Sequence, residues 1–353
     1  MKIAVLTLPL HTNYGGILQA YALQQYLKKR GHDIFLIDFR KKSYLFELKC
    51  FFSNLLKRRT IGNSVKKIRR FERNITMVKE SKMGQVDLCI VGSDQVWRKD
   101  YIWYNPMRYF LNFVPLEIPR MSYAASFGCD KWEFDKELSS FILSELSKFL
   151  GVSVREHAGL SVLKKMGVRN GYVHIDPTML LSCNDYNCLC SRIKCNKYAL
   201  TSYILDNTKV KDDIINCICR NYKKVGCQGK KIIGIKILKY DSIEEWLASF
   251  RDTMFVITDS FHGCVFSILY NKPFIVIANE KRGMSRFETL LSKFKLKERL
   301  LYEDSVNVQD KINYIIPKII DWESVNKILQ EERLLVNSYF NKIENDIYNN
   351  SII

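Results

Sequence analysis

Short apolar runs alternate along the chain with longer stretches whose apolar positions recur at helical spacing. A short apolar run bounded by turn residues predicts a buried strand, and helical spacing predicts an amphipathic helix. Strands that alternate with helices form parallel sheets, because each helix returns the chain to the same end of the sheet. The pattern predicts strands at residues 2–6, 34–37, 86–91, 120–125, 152–156, 172–175, 199–205, 231–237, 254–257 and 274–277.

The alternation of strands and helices begins afresh near residue 199, which predicts two domains. The expected fold class is α/β, with two Rossmann-like parallel-sheet domains facing a cleft. We place the boundary between 177 and 196 and predict domains at 1–180 and 181–320. The tail has helical periodicity, so 321–353 is predicted to be a helix that packs back on the first domain.

Length and composition are those of a globular protein. With 353 residues, 47% hydrophobic and 26% charged, the chain can bury two cores. It contains no apolar run of the length that a transmembrane helix needs. The apolar start lacks the basic region and cleavage site of a signal peptide, so we expect a cytoplasmic protein.

The formal net charge of +18 suits an anionic partner. Basic residues are densest in the segment 41–82, where they are interleaved with leucine and phenylalanine. Such a segment is typical of a contact with the inner face of a membrane, and a solvated helical face explains it equally well. No nucleic-acid-binding motif accompanies the charge, so we expect no nucleic-acid partner.

Seven of the eleven cysteines fall within residues 183–227. Their spacing lacks the paired Cys-x-x-Cys motifs of zinc sites, and an odd total without a secretion signal favours reduced thiols. We therefore predict no metal site. The role of this cysteine-rich region stays open.

Two polar loops follow strands of the first predicted domain. Asn13, Gly15 and Gly16 lie at the turn after strand 2–6, and Ser93, Asp94 and Gln95 follow strand 86–91. The carboxyl ends of parallel strands are where open α/β sheets bind ligands. Each loop is therefore a candidate substrate-binding loop, and a turn with a helix cap is the alternative.

Arg155 and Glu156 end the predicted strand 152–156. The planar guanidinium of Arg155 can bind a carboxylate or phosphate of a ligand through two hydrogen bonds. It can equally form a structural ion pair with Glu156 or Asp176.

The stretch 254–277 predicts a strand, a polar turn, a helix from about residue 261 and a second strand. Asp259 and Ser260 are suited to cap this helix, whose first turn favours an anion. His262 lies at the same place and is either a general acid or base, or a packing residue. Since Gly263 is expected to keep the turn open, we predict a functional histidine. Two arginines follow the second strand, Arg282 and Arg286.

Six segments together resemble the polysaccharide pyruvyl transferase family. They occur in order from residue 13 to about residue 290, at 13–23, 91–97, 122–128, 152–156, 176–178 and 259–263. The resemblance implies a fold similar to that of B-type glycosyltransferases. It also implies transfer of a pyruvyl group from phosphoenolpyruvate to two hydroxyls of a glycan, which leaves a cyclic ketal and phosphate without a further cofactor.

The same resemblance implies that His262 is the catalytic histidine and that Arg155 binds phosphoenolpyruvate. One departure stands out, since family members often carry Arg-x-His where this chain has Ser260-Phe261-His262. Arg282 or Arg286 could replace the missing arginine. On chemical grounds Asp94 is the first candidate for the base that activates the acceptor hydroxyl, and Glu156 is the second.

The acceptor is expected to be a sugar, and the basic segment is compatible with a lipid-linked one. The alternative function is a nucleotide-sugar-dependent glycosyltransferase on the same architecture, which would need a nucleotide pocket in the second domain. The sequence leaves the oligomeric state open.

Overall fold

A computed structural model describes residues 1–10, 13–39, 67–194, 200–225, 235–237, 241–303 and 307–350. The prediction for the basic segment 41–82 therefore lies largely outside the described residues, as do Cys195 and Cys227 of the cysteine-rich region. The chain divides into a first unit, Met1–Leu181 with Gln330–Ile353, and a second unit, Ser182–Leu329. In these described residues, each unit is built around one parallel sheet, with seven strands in the first unit and five in the second.

The first unit contains a seven-stranded parallel sheet with the order β3-β2-β1-β4-β5-β6-β7. In register, Ile3 of the central strand lies opposite Ile34 on one side and Leu88 on the other. The strand order reverses between β1 and β4, which makes their carboxyl ends the topological switch point where such sheets bind ligands. The strands are β1 (Lys2–Leu6), β2 (Asp33–Asp38), β3 (Met77–Lys79), β4 (Leu88–Val91), β5 (Arg120–Ala125), β6 (Phe149–Val154) and β7 (Gly171–Val173).

In the described residues of the first unit, helices connect successive strands of the sheet. The first begins after Asn13, whose side chain accepts a hydrogen bond from Gly15 N at 3.1 Å, and it buries its apolar face, including Ile17 and Leu27. Burial of such a stripe against the sheet stabilises the helix more than its intrinsic propensity does. The helices are α1 (Tyr14–Lys29), α2 (Lys99–Ile102), α3 (Lys136–Leu146) and α4 (His157–Lys165).

The second unit contains a five-stranded parallel sheet with the order β12-β11-β10-β8-β9. Its switch point lies between β8 and β10. The strand that follows β8 in the chain, β9, lies on one side of this pair, and the strands that follow β10 lie on the other side. The strands are β8 (Leu200–Tyr203), β9 (Ile235–Ile237), β10 (Phe255–Thr258), β11 (Phe274–Ile277) and β12 (Leu300–Leu301).

Helices flank this second sheet. The helix that follows β10 is buried along its whole length, in keeping with its largely apolar sequence. The helix that precedes β10 begins with a capping box. In it, the side chains of Ser242 and Glu245 each accept a hydrogen bond from the other's backbone N–H group. The helices are α5 (Cys183–Leu189), α6 (Lys209–Val225), α7 (Ile243–Asp252), α8 (Phe261–Leu269), α9 (Ser285–Lys293) and α10 (Val308–Ile315).

The last helix, α11 (Trp322–Asn350), contributes its residues from Gln330 onward to the first unit. The hydroxyl of Tyr339 donates to the carbonyl of Ser122 in β5 at 2.9 Å, and Arg30 at the end of α1 pairs with Glu344 at 2.9 Å. These contacts fix the end of the chain beside the first sheet. The predicted domain limits at 180 and 320 remain predictions.

The predicted α/β class with two parallel sheets is confirmed. Individual elements differ from their predictions. The spacing of apolar residues predicts one helix over residues 135–150, whereas in the structure the helix ends at Leu146 and β6 begins at Phe149. Among the helices in the described ranges, none has both the length and the apolar character needed to cross a membrane.

Candidate functional site

A cavity of about 310 Å³ opens at the switch point of the first sheet. It lies after the carboxyl ends of β1 and β4, and small-molecule sites of this size are common. Three predicted site residues meet here, Asn13 and Gly16 at the start of α1 and Asp94 after β4. The lining residues are Leu8, Pro9, Leu10, Asn13, Gly16, Asp94, Tyr101 and Tyr104.

Asp94 is held in an unusual backbone conformation, with a φ of 80°. Its carbonyl accepts hydrogen bonds from Val96 N at 2.8 Å and Ser126 N at 3.0 Å. Its carboxylate accepts one from Gln95 N at 2.9 Å and is 3.2 Å from where a Cβ on Gly16 would lie. Backbone strain of this kind persists where surrounding contacts enforce it, and it is concentrated at functional sites.

Arg155, only 3% exposed, connects Asp94 with Asp176. One guanidinium nitrogen lies 2.5 Å from Asp176 Oδ2, and another lies 3.8 Å from Asp94 Oδ1. Asp176 is in turn fixed by Thr178, whose N–H and hydroxyl donate to Oδ1 at 2.9 and 2.6 Å. Of the two ion-pair partners considered for Arg155, the structure places Asp176 in contact. A buried arginine between two carboxylates forms a compact charged centre beside the cavity.

Glu156 is fully buried and organises the loop after β5. Its Oε1 accepts hydrogen bonds from Ser126 Oγ at 3.0 Å, Phe127 N at 2.9 Å and Gly128 N at 3.4 Å. A carboxylate oxygen with three donors is suited to holding a loop in place. This geometry favours Asp94 over Glu156 as the base.

Ser93 and Gln95 also bond to neighbouring loops. Ser93 Oγ donates to the carbonyl of Ala124 at 2.9 Å, and Gln95 Oε1 accepts from Arg98 at 2.9 Å. Gly128, with a φ of 70°, passes so close that a Cβ there would lie 2.1 Å from Gln95 Oε1. These contacts position the loop that carries Asp94. A direct contact of Ser93, Gln95 or Gly15 with substrate stays a prediction.

His262 lies in the second unit, in the first turn of α8, and is almost completely buried. Ser260 is the N-cap of this helix, and its hydroxyl accepts a hydrogen bond from Gly263 N at 3.4 Å. A Cβ on Gly263 would lie 2.2 Å from Thr258 Oγ1 in β10. We expected this glycine to keep the turn open, and in the structure it lets α8 pack tightly against β10.

Asp259 caps no helix but connects several loops at the switch point of the second sheet. It is fully buried, and its two oxygens accept four hydrogen bonds. So many donors hold the carboxylate of Asp259 in one orientation. A substrate-binding role for Asp259 stays a prediction. The donors are Leu205 N at 2.6 Å, Lys211 Nζ at 2.8 Å, Asn279 Nδ2 at 2.9 Å and Asp206 N at 3.2 Å.

The two candidate replacement arginines have different partners. Arg282 donates two hydrogen bonds to Asp206 at 2.5 and 2.9 Å, which lowers the pKa of that carboxyl to about 2. Arg286 is buried, donates to the carbonyl of Arg282 and lies 5.4 Å above the ring of Phe261. The Phe261 ring in turn contacts the imidazole of His262, with ring centroids 5.4 Å apart. Arg286 and His262 therefore both contact the ring of Phe261.

A second cavity, of about 340 Å³, opens at the carboxyl ends of β8, β11 and β12. Sequence reasoning did not single out its polar residues. Asp206 and Asn279 follow strand ends and could have been found by that rule, whereas Lys211 lies within a helix and gives no such signal. The lining residues are Asp206, Thr208, Lys211, Ala278, Asn279, Glu280, Tyr302 and Glu303.

The predicted site residues thus form two groups. Asp94 and Arg155 lie together in the first unit, and His262 lies with Arg286 in the second. The convergence of Arg155 and His262 on one substrate stays a prediction. Among the described residues, no cluster of three or more His, Cys, Asp or Glu side chains is arranged to hold a metal ion.

Comparison with known proteins gives a family match and a fold match. A family model described as polysaccharide pyruvyl transferase matches residues 13–281. The UDP-GlcNAc 2-epimerase of Methanocaldococcus jannaschii is similar in structure, with a TM-score of 0.51, 11% identity, and coverage of 91% of this chain and 93% of that one. The epimerase of Neisseria meningitidis, bound to UDP-GlcNAc, has a TM-score of 0.49 and 9% identity, with coverage of 95% and 100%.

At such identities the structural likeness shows the fold alone. The match to the Methanocaldococcus jannaschii epimerase confirms the predicted similarity to the B-type glycosyltransferase fold. No curated protein sequence matches the chain significantly.

Proposed function

Because the chain belongs to the polysaccharide pyruvyl transferase family, we propose that it moves a pyruvyl group from phosphoenolpyruvate onto two hydroxyls of a glycan or glycolipid precursor. The products are a cyclic ketal and inorganic phosphate. The observation that carries the proposal is the charged centre at the first switch point, where a strained Asp94 lies beside Arg155 and opens on a cavity. A base held in this way is suited to activating a hydroxyl.

The first half of the reaction needs a proton donor. His262 protonates the methylene carbon of phosphoenolpyruvate, which creates positive character at the adjacent carbon. One acceptor hydroxyl attacks that carbon while Asp94 removes its proton. The new carbon–oxygen bond gives an adduct that still carries the phosphate.

The second half closes the ring. The bond from the central carbon to the phosphate oxygen breaks, phosphate departs with one proton, and the second hydroxyl attacks the same carbon. The two acceptor hydroxyls lose two protons in total. One of these restores the proton that His262 gave to the new methyl group, and the other equals the proton that leaves with phosphate. The carboxylate of the donor survives in the ketal, so charge and atoms balance.

Guanidinium groups are suited to the donor's carboxylate and phosphate. Arg286 is the better replacement for the arginine absent at Ser260, because its guanidinium lies over the ring of Phe261, which contacts His262, whereas Arg282 pairs with Asp206 at the second cavity. Arg155 is held between two carboxylates, which fixes the orientation of its planar group. We assign Arg155 to donor binding as well.

Replacement of His262 by alanine tests the proposal. We expect phosphate release from phosphoenolpyruvate with a glycan acceptor to fall by about 10²- to 10⁴-fold, because the proton donor is lost. His157→Ala is the matched control, since it removes an exposed histidine that begins another helix, α4. Circular dichroism would verify that both variants fold.

Turnover retained in His262→Ala would remove His262 from the mechanism. The alternative function predicts a different ligand, since a nucleotide-sugar-dependent enzyme would be stabilised against heat by UDP-GlcNAc. We expect phosphoenolpyruvate to raise the melting temperature and UDP-GlcNAc to leave it unchanged. The reverse result would favour the glycosyltransferase.

A further inference from the structure

Three aromatic side chains are exposed together beside the first cavity. Tyr101, Trp103 and Tyr104 are 38%, 77% and 55% exposed, and they lie in α2 and the turn that follows it. Two of them, Tyr101 and Tyr104, line the cavity of about 310 Å³, and we call this pair the aromatic rim. Large exposed aromatic groups at the mouth of a cavity are typical of a binding surface.

Neighbouring side chains hold the aromatic rim in place. The hydroxyls of Tyr104 and Tyr109 share a hydrogen bond at 2.5 Å, and Tyr109 itself is buried. The guanidinium of Arg98 lies 5.0 Å from the centre of the Tyr101 ring. A binding surface whose rings are already positioned loses less conformational entropy when a ligand binds.

The remaining lining residues favour a neutral, hydroxylated ligand. Asn13 and Asp94 offer hydrogen-bonding groups, and Leu8, Pro9 and Leu10 offer apolar surface. None of the described residues that line the cavity is basic, and the start of α1 already faces the Asp94 carboxylate. A small, multiply charged donor such as phosphoenolpyruvate would meet the Asp94 carboxylate here, and Arg155 beside that carboxylate is already paired with Asp176.

We propose that this cavity binds the pyranose ring of the acceptor, with one apolar face of the sugar against the aromatic rim. In a pyranose such as glucose or galactose, several C–H bonds point to the same side and form an apolar face. Tyrosine rings bind this face and leave the hydroxyls free. Those hydroxyls reach Asn13 and Asp94. The inference rests on the proposed function, in which Asp94 activates the acceptor.

The first experiment measures sugar binding without any donor. Saturation-transfer NMR would use methyl β-D-glucopyranoside, methyl β-D-galactopyranoside and their 2-acetamido-2-deoxy counterparts with the full-length protein. We expect saturation transfer to at least one of these glycosides, and its loss in Tyr101→Ala and Tyr104→Ala. Tyr104→Phe keeps the ring and should keep binding. Tyr348→Ala is the matched control, because Tyr348 is 54% exposed and lies on α11.

The second experiment measures steady-state turnover with the acceptor that gives phosphate release. In Tyr101→Ala and Tyr104→Ala we expect the KM for the acceptor to rise about tenfold, which is the scale of one lost ring contact. In these two variants the KM for phosphoenolpyruvate should stay unchanged. In Tyr348→Ala neither the KM for the acceptor nor the KM for phosphoenolpyruvate should change.

The outcomes separate this inference from the proposed function. Phosphate release that is equal in the wild type and both alanine variants would overturn the acceptor site and leave pyruvyl transfer standing. Sugar binding that depends on the aromatic rim, without any phosphate release, would support the acceptor site and overturn pyruvyl transfer. Failure of all four glycosides to show saturation transfer would also overturn the acceptor site.

Discussion

The backbone of Asp94 has a φ of 80° although the residue carries a Cβ. Two hydrogen bonds to its carbonyl, from Val96 and Ser126, enforce this conformation, and the second comes from the loop after a neighbouring strand. The sequence placed Asp94 correctly in a polar loop at a strand end. It gave no indication of the strain, because the strain depends on a partner more than thirty residues away.

Replacement of Asp94 by asparagine should separate chemistry from folding. Asparagine tolerates a positive φ and keeps a side-chain oxygen, so we expect a folded protein. The amide cannot accept a proton, so kcat should fall by about 10²- to 10⁴-fold. Steady-state assays of phosphate release would measure this, with Asp100→Asn as the control because that nearby carboxylate is 69% exposed. Near-normal kcat in Asp94→Asn would rule out Asp94 as the base.

Most elements could be predicted from the spacing of apolar residues. The exceptions are elements that depend on pairing between strands or that are too short to show a period. Residues 147–150 continue the apolar pattern of the helix before them, yet Phe149 and Leu150 belong to β6, which pairs with β5 and β7. The hydrogen bonds to the neighbouring strands therefore favour a strand over a continued helix at these two residues. The three-residue strand β3 and the helix α5 were too short to produce a periodic signal.

The contact between α8 and β10 gives a prediction at the scale of elements. In Gly263→Ala the new methyl group would lie 2.2 Å from Thr258 Oγ1, and a move of Thr258 would disturb its hydrogen bond to the carbonyl of Tyr203. We expect the free energy of unfolding to fall by about 1–3 kcal/mol, the usual cost of overpacking. Urea denaturation followed by circular dichroism would measure the change.

Gly31→Ala provides a comparison for this experiment. A Cβ on Gly31 would meet no atom within 4 Å, so its cost would come only from the φ of 85°. That cost is about 1 kcal/mol. An unchanged unfolding midpoint in Gly263→Ala would show that α8 can shift away from β10, and would contradict the tight packing of the two elements at Gly263.

At the scale of the whole molecule, strand order explains why distant segments form one site. The loops after β1 and β4 meet because the order of the first sheet reverses between these strands. The alternation of elements predicted two parallel sheets but not their strand order. For the same reason the contacts of Asp94 with Gly16 and Arg155, and the exposure of Tyr101 and Tyr104, became visible only in the structure.

The family match covers residues 13–281, which include Asp94, Arg155 and His262 but end before Arg286. It supports a transferase, and the donor and the ketal product belong to our proposal. The chemistry makes one demand that no nucleotide-sugar transfer shares. The methylene carbon of the donor must gain a proton and become the methyl group of the product.

The most direct test is to run the reaction with phosphoenolpyruvate and a glycan acceptor in deuterated water, and to analyse the glycan by mass spectrometry and NMR. We predict a product that has gained one pyruvic acid less one water, with a single deuterium in the new methyl group and one phosphate released per ketal. A glycan that acquires no pyruvyl group, or a ketal whose methyl group carries no deuterium, would contradict the account.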